Sequence, residues 1–135
     1  MPKWGADMGW DAAPQSIARD IARKHRLLCL RLALDIDSRL VLATPVKSGR
    51  ARSNWLASVD EPRREIVEPR TDDETLAEAV AVVDRAKEYP LIYITNNLPY
   101  IQRLNEGSSK QAPAAFVETA IDGAMQPLVA AGFLK

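Results

Sequence analysis

A general base or a nucleophile needs a partner within reach, and the lone His25 sits among basic residues with no Ser, Cys or Asp partner identifiable from its spacing. It is therefore read as part of a solvated helix face. Asp35 and Asp37 are two apart and diverge on a helix, so they do not form a paired-carboxylate site. Asp72, Asp73 and Glu74 have the look of helix N-terminal charges favoured by the dipole. Cys29, within Leu27-Leu28-Cys29-Leu30, is read as a buried small hydrophobe. Lys47, Arg50 and Arg52 flank a Ser/Gly turn that could hold phosphate in principle. A single glycine, with Ser48 before it, misses the Gly-x-x-x-x-Gly-Lys-Ser/Thr spacing of a P-loop. No catalytic residue, cofactor site or metal site is assigned, and the expectation is a protein that is not an enzyme.

Composition narrows the classes further. The chain has 135 residues, 47% hydrophobic and 27% charged, which suits one globular core. Lys plus Arg and Asp plus Glu both number 18, so no overall field holds nucleic acid or an anionic membrane, and any DNA contact would be local. One cysteine and one histidine leave no intrachain disulfide and no thiolate or imidazole metal cage, which fits a reducing cytoplasm. No run approaches the length of a membrane span, and Met1 to Gly5 lacks the apolar stretch of a signal peptide.

The elements that would position these residues follow from periodicity and breakers. Residues 1–13 hold Trp4 and Trp10 without a period and read as an extended arm, its aromatics either folded back on the body or docked on a neighbouring subunit. Residues 14–135 then form one domain. Ile17, Ile21, Leu28 and Leu32 recur at the helical period and predict a helix from Gln15 to Leu42, stopped by Thr44-Pro45. Lys47-Ser48-Gly49 reads as a turn, followed by a helical turn opening Arg50 to Trp55. Trp55 to Val67 predicts two strands around a Glu61-Pro62-Arg63-Arg64 turn. Asp72 or Asp73 is expected to cap a helix over Glu74 to Lys87, ended by Pro90. Leu91 to Thr95 is the clearest strand, and Pro99 to Leu104 a short helix broken at Gly107-Ser108-Ser109. Pro113 opens a last helix with Phe116, Val117, Ala120, Ile121 and Ala124 on its apolar face. The fold class expected is α+β, a long N-terminal helix and further helices packed on a small, mainly antiparallel sheet.

Two blocks stand out. In the first, Gly49 supplies a special backbone conformation, Trp55 enters the core, and Arg50 or Arg52 pairs with a carboxylate inside the subunit or across a boundary. In the second, Asn96-Asn97-Leu98-Pro99-Tyr100 is a strand-to-helix corner whose amides close turns and cap the next helix or meet a partner. Glu106 to Pro113 is a small-residue loop suited to carrying binding surface.

Thr44, Pro45, Val46, Ser48, Gly49, Arg52 and Trp55, followed by Asn97, Leu98, Pro99, Tyr100, Leu104, Gly107, Ser108, Gln111, Ala112, Pro113 and Phe116, resemble the signature of tailed-bacteriophage tail-completion or neck proteins, similar to the minor tail protein Z group. The likeness runs from the first long helix through the last, with Asn96 and Arg50 beside its motif positions. Lys47 stands where that family commonly has a carboxylate, and Ala115 where it often has glycine. The resemblance implies a virion protein of the head–tail junction, assembled in the host cytoplasm. It implies a homo-oligomeric ring, a hexamer by tail symmetry, that caps the tail tube. Its partners would be other neck, connector and tail-tube proteins, close to DNA in the channel. The rival expectation is a nucleic-acid-binding or regulatory protein with Arg50, Arg52, Arg63, Arg64 and Arg70 on one face.

Overall fold

The computed structural model describes residues 13–46, 49–108 and 114–132. Trp4 and Trp10, with the arm expected around them, lie outside these residues, as do Lys47, Ser48, Gln111 and Pro113. Helix α1 spans Ala13–Ala43, 31 residues, about 46 Å at 1.5 Å per residue. It ends where expected. Thr44 precedes Pro45 and returns both its backbone N–H and its hydroxyl to the Leu40 carbonyl, at 3.1 and 2.6 Å. A single turn of helix, α2 (Arg50–Ser53), leads into strand β1 (Leu56–Val59). Helix α3 (Asp72–Val83) and strand β2 (Ile92–Thr95) follow. The short helix α4 (Ile101–Arg103) continues as a π-helical turn over Leu104–Ser108, and α5 (Phe116–Ala130) is last.

The architecture is α+β, with the long first helix and further helices around a two-stranded antiparallel sheet in which Leu56 faces Thr95 and Val59 faces Ile92. α1 packs on α5 along one side and on α3 along another. Between α1, α5 and Trp55, which leads into β1, lies one apolar cluster of Leu40, Val41, Trp55, Phe116 and Ala120. A second, of Leu30, Ala57, Ala79, Val83 and Ala86, joins α1 to α3 and the sheet. Removing these side chains from water is the main force holding the layers together, at roughly 25 cal/mol per Å² of apolar surface.

Four expectations are corrected. The last helix, expected to open at Pro113, begins at Phe116, because Ala115 at φ +62° is left-handed and outside the helix. The hairpin expected between Trp55 and Val67 does not form: past Val59 the chain runs from residue 60 to 71 without a ladder. Pro62 and Pro69 lack donors, and the strap's backbone is instead taken up by side chains. The Asn54 amide receives the Val67 N–H at 2.7 Å and donates to the Val67 carbonyl at 2.9 Å, imitating a strand partner. The cap of α3 is Thr71 rather than Asp72 or Asp73. Its hydroxyl receives Glu74 N–H at 3.1 Å while the Glu74 carboxylate receives Thr71 N–H at 3.2 Å, a reciprocal capping box. Finally, α3 stops at Val83, short of the expected Lys87 and well before Pro90. Arg26 of α1 donates to the carbonyls of Asp84 and Ala86, at 2.9 and 2.6 Å, so the chain there tightens rather than continuing as α-helix.

Candidate functional site

The residues of the first block converge on the end of α1. Gly49 has φ +71°, and a Cβ there would meet nothing within 4 Å. It is the conformation, not space, that calls for glycine. Its carbonyl receives the Ser53 N–H and hydroxyl at 3.0 and 2.6 Å, which winds α2 into a single turn. Trp55 then enters the core and its indole N–H donates to the fully buried Thr44 hydroxyl at 2.8 Å. The expected burial of Trp55 is met.

Arg52 turns back under the same corner. It donates to the Thr44 carbonyl at 2.7 Å, to the Leu42 carbonyl at 2.9 Å and to the Asp72 carboxylate at 2.8 Å. Of the alternatives for this arginine, the structure selects a carboxylate within the subunit. One guanidinium thus ties the C-terminus of α1, where carbonyls lack helical partners, to the first turn of α3.

The second block bonds to the first. Asn96 donates to the Ala51 carbonyl at 3.0 Å and accepts the Leu98 N–H at 3.2 Å. Asn97 donates to the carbonyls of Arg63 and Glu65 at 2.9 and 3.0 Å, holding the strap. The amides close a turn as expected but do not cap α4, whose N-terminal flank at Tyr100 has no side-chain cap. Pro99 and Tyr100 are exposed, Leu104 packs on the first apolar cluster, and Phe116 is buried in it.

Beyond Leu104 the chain turns at Gly107, φ +103°, where a Cβ would press on the Ala114 Cβ at 3.2 Å. Ser108 closes the π-helical turn. α5 is capped from outside by Asn105, absent from the motif residues above. Its side-chain oxygen receives Val117 N–H at 2.9 Å, its amide donates to Glu118, and its carbonyl receives Ala115 N–H. Ala115 itself sits at φ +62°, a left-handed conformation that strains an L-residue.

A charged network lies beside this corner. Glu78 on α3 accepts from Arg63 at 2.6 Å and from Arg70 at 2.9 Å. The Arg70 hydrogen bond and then the Arg63 one hold the Glu78 carboxyl down to about 2, against the opposing effect of burial. Arg63 also pairs with Glu65 at 3.0 Å.

Asp37 is the residue that sequence reasoning passed over. It diverges from Asp35 as expected, since Asp35 pairs with Arg39 at 3.0 Å on the outer side. Asp37, however, is 1% exposed and neither carboxylate oxygen has a hydrogen-bond partner. Burial pushes its pKa up to about 7, with the Arg70 charge opposing that rise and Glu78 adding to it. The signal was in the helical phase: Asp37 is seven past Leu30, four past Ala33 and four before Val41, all buried.

His25 stays exposed, its ring packed at a 42° tilt against that of Tyr89 with centroids 5.0 Å apart. Spacing alone pointed to no partner for it. The structure places the Cys29 sulfur 3.7 Å from its ring, one turn on. Cys29 is half-buried rather than buried. Among the described residues no group of three or more His, Cys, Asp or Glu side chains is arranged to hold a metal ion. No helix of these residues is long and apolar enough to cross a membrane.

Compared with family models, with curated proteins and with solved structures, the chain matches none. What the geometry shows is a corner in which residues of the two blocks hold one another: Thr44, Arg52 and Trp55 of the first block directly, and Asn96 of the second through the Ala51 carbonyl.

Proposed function

We propose that this chain is a tail-completion or neck protein of a tailed bacteriophage, a structural subunit that works as a ring of identical copies at the head–tail junction. The basis is the pair of sequence blocks, and the observation that carries it furthest is their convergence. Buried Thr44 and Trp55, half-buried Arg52 and the Asn96 and Asn97 amides form one hydrogen-bonded corner joining α1, α2, α3, the strap and β2. Motif residues used in this way fix a shape to be repeated, which is what a ring subunit needs. Its partners would be further copies, the connector above and the tail tube below, with assembly in the host cytoplasm.

The rival, a nucleic-acid-binding face built on arginines, loses most of its charge to neighbours. Arg52 is committed to Asp72, Arg63 to Glu65 and Glu78, and Arg70 to Glu78. Phosphates would have to displace carboxylates already in place.

Electron microscopy of lysates from a phage or prophage lacking this gene, with complementation in trans, tests the proposal. Filled heads separate from tails, or tails with abnormal ends, are the expected products. Normal infectious particles would overturn it and return the regulatory rival.

A further inference from the structure

Two helices carry stripes of mixed apolar and charged residues on the faces they turn away from the body, and the charges are opposite. On α1, Ile17 and Ile21 are 61% and 55% exposed and share a face with Lys24, Leu28 and Arg31. Ile21, Lys24, Leu28 and Arg31 border a shallow depression of about 560 Å³. On α5, exposed Glu118, Asp122 and Val129 share a face with half-buried Met125, beside Ile121. α5 contains no basic residue.

The stripes match in one direction only. Laid antiparallel, Ile17 falls opposite Val129, Ile21 opposite Met125 and Lys24 opposite Asp122, the steps on both helices being four and then three residues. Leu28 then falls opposite Glu118 and one turn from Ile121, and Arg31, the next turn of α1, also lies one turn from Glu118. Laid parallel, Ile17 meets Glu118 and Lys24 meets Met125. Pairing α1 with another α1 antiparallel about its centre at Lys24 sets Lys24 against Lys24. The stripes also have similar lengths, about 21 Å for Ile17 to Arg31 and about 17 Å for Glu118 to Val129.

We infer that the outer stripe of α1 in one copy docks antiparallel on the outer stripe of α5 in the next copy, a head-to-tail contact between identical chains. Two different, complementary patches on one subunit are what a closed ring requires, so the inference rests on the ring proposed above and names the surfaces that build it. Lys24 is paired in its own helix with Asp20 at 2.9 Å. That pair is exposed and weak enough to yield to Asp122 of the neighbour.

The test is light scattering of the full chain over a concentration series, as wild type and with Lys24→Glu, Asp122→Lys and both together, circular dichroism confirming the fold of each. The wild type self-associates, each single reversal weakens association by about tenfold or more, and the double reversal, which restores opposite charges at every junction, recovers it to within about threefold. A self-associating wild type that neither reversal disturbs overturns this interface and leaves the ring proposal standing. The interface is overturned in the same way if only removal of residues 1–12 dissolves the assembly, since the arm would then be the contact. A wild type monomeric at millimolar concentration overturns the contact and self-assembly of the ring together. The deletion phage, read separately, then decides whether a head–tail role survives without it.

Discussion

Replacing Asp37 by Asn should make the protein more stable at neutral pH and leave it nearly unchanged in acid. Asp37 is 1% exposed, both of its oxygens lack partners, and burial raises its pKa to about 7 from an ordinary value of 3.8. A carboxyl whose folded pKa is raised binds more protons in the folded state than in the unfolded one between those two values. Stability therefore falls as pH rises from about 4 to about 7 and stays low above it. Three pH decades at about 1.4 kcal/mol each set an upper limit of about 4 kcal/mol, and relaxation around the charge reduces this to about 2–4 kcal/mol. Asn keeps the size and polarity of the protonated acid without its ionisation. Urea unfolding followed by circular dichroism at pH 4 and pH 8 reads the effect. A gain of about 2–4 kcal/mol at pH 8, and within about 0.5 kcal/mol of zero at pH 4, is the expected pair. Equal differences at the two pH values would refute the reasoning even if the substitution were itself stabilising, because only ionisation moves with pH. Glu78 works in the opposite sense. Its folded pKa is lowered to about 2, so its contribution is present above about 4.5 and is lost as pH falls through the folded value. Together the two carboxyls place the stability maximum near pH 4–5.

Two further substitutions test the corner and the start of the last helix. Asn54→Ala removes the amide that serves both the N–H and the carbonyl of Val67 and also donates to the Arg50 carbonyl at 2.8 Å; a loss of about 3 kcal/mol, seen as a fall of about 10 °C in Tm, is expected, and a loss below about 1 kcal/mol would show that water replaces the amide freely. Ala115→Gly relieves the left-handed strain at φ +62° and should raise stability by about 0.5–1 kcal/mol, whereas a decrease in the melting temperature would mean that the added unfolded-state freedom outweighs that strain.

How much of this was legible beforehand depends on the range of the forces involved. α1 could be read because proline at 45 and a long apolar period are local signals, and the structure ends the helix within a residue of the expected place. β2 was likewise local. The hairpin was misjudged because Leu56, Val59, Ile66 and Val67 look like two strands, while the partner that satisfies Val67 is a side chain thirteen positions away. Nothing in a pattern of apolar residues announces that Asn54 will stand in for a strand. α3 ended early for a similar reason, since Arg26, about sixty positions upstream, supplies the donors that tighten its end. Ala115 was not legible as a special position, because an alanine in a sequence gives no sign that its backbone will take a positive φ.

The same distinction separates the motif from the function. Block residues form a buried hydrogen-bonded corner of demanding geometry: Thr44 must both donate to Leu40 and accept from Trp55, and Arg52 must reach two carbonyls and a carboxylate at once. A surface that binds a neighbour needs only apolar area and the right sign of charge, which many residue choices satisfy. Such a surface leaves no signature of fixed spacing. The α1 and α5 stripes illustrate this, for neither contains a residue from the two blocks, and their match emerged only when exposure and helical phase could be set side by side. If the ring forms as proposed, changes in the corner should unfold the subunit, and changes at Lys24 or Asp122 should leave it folded but alone. That contrast separates the residues that make the shape from those that use it.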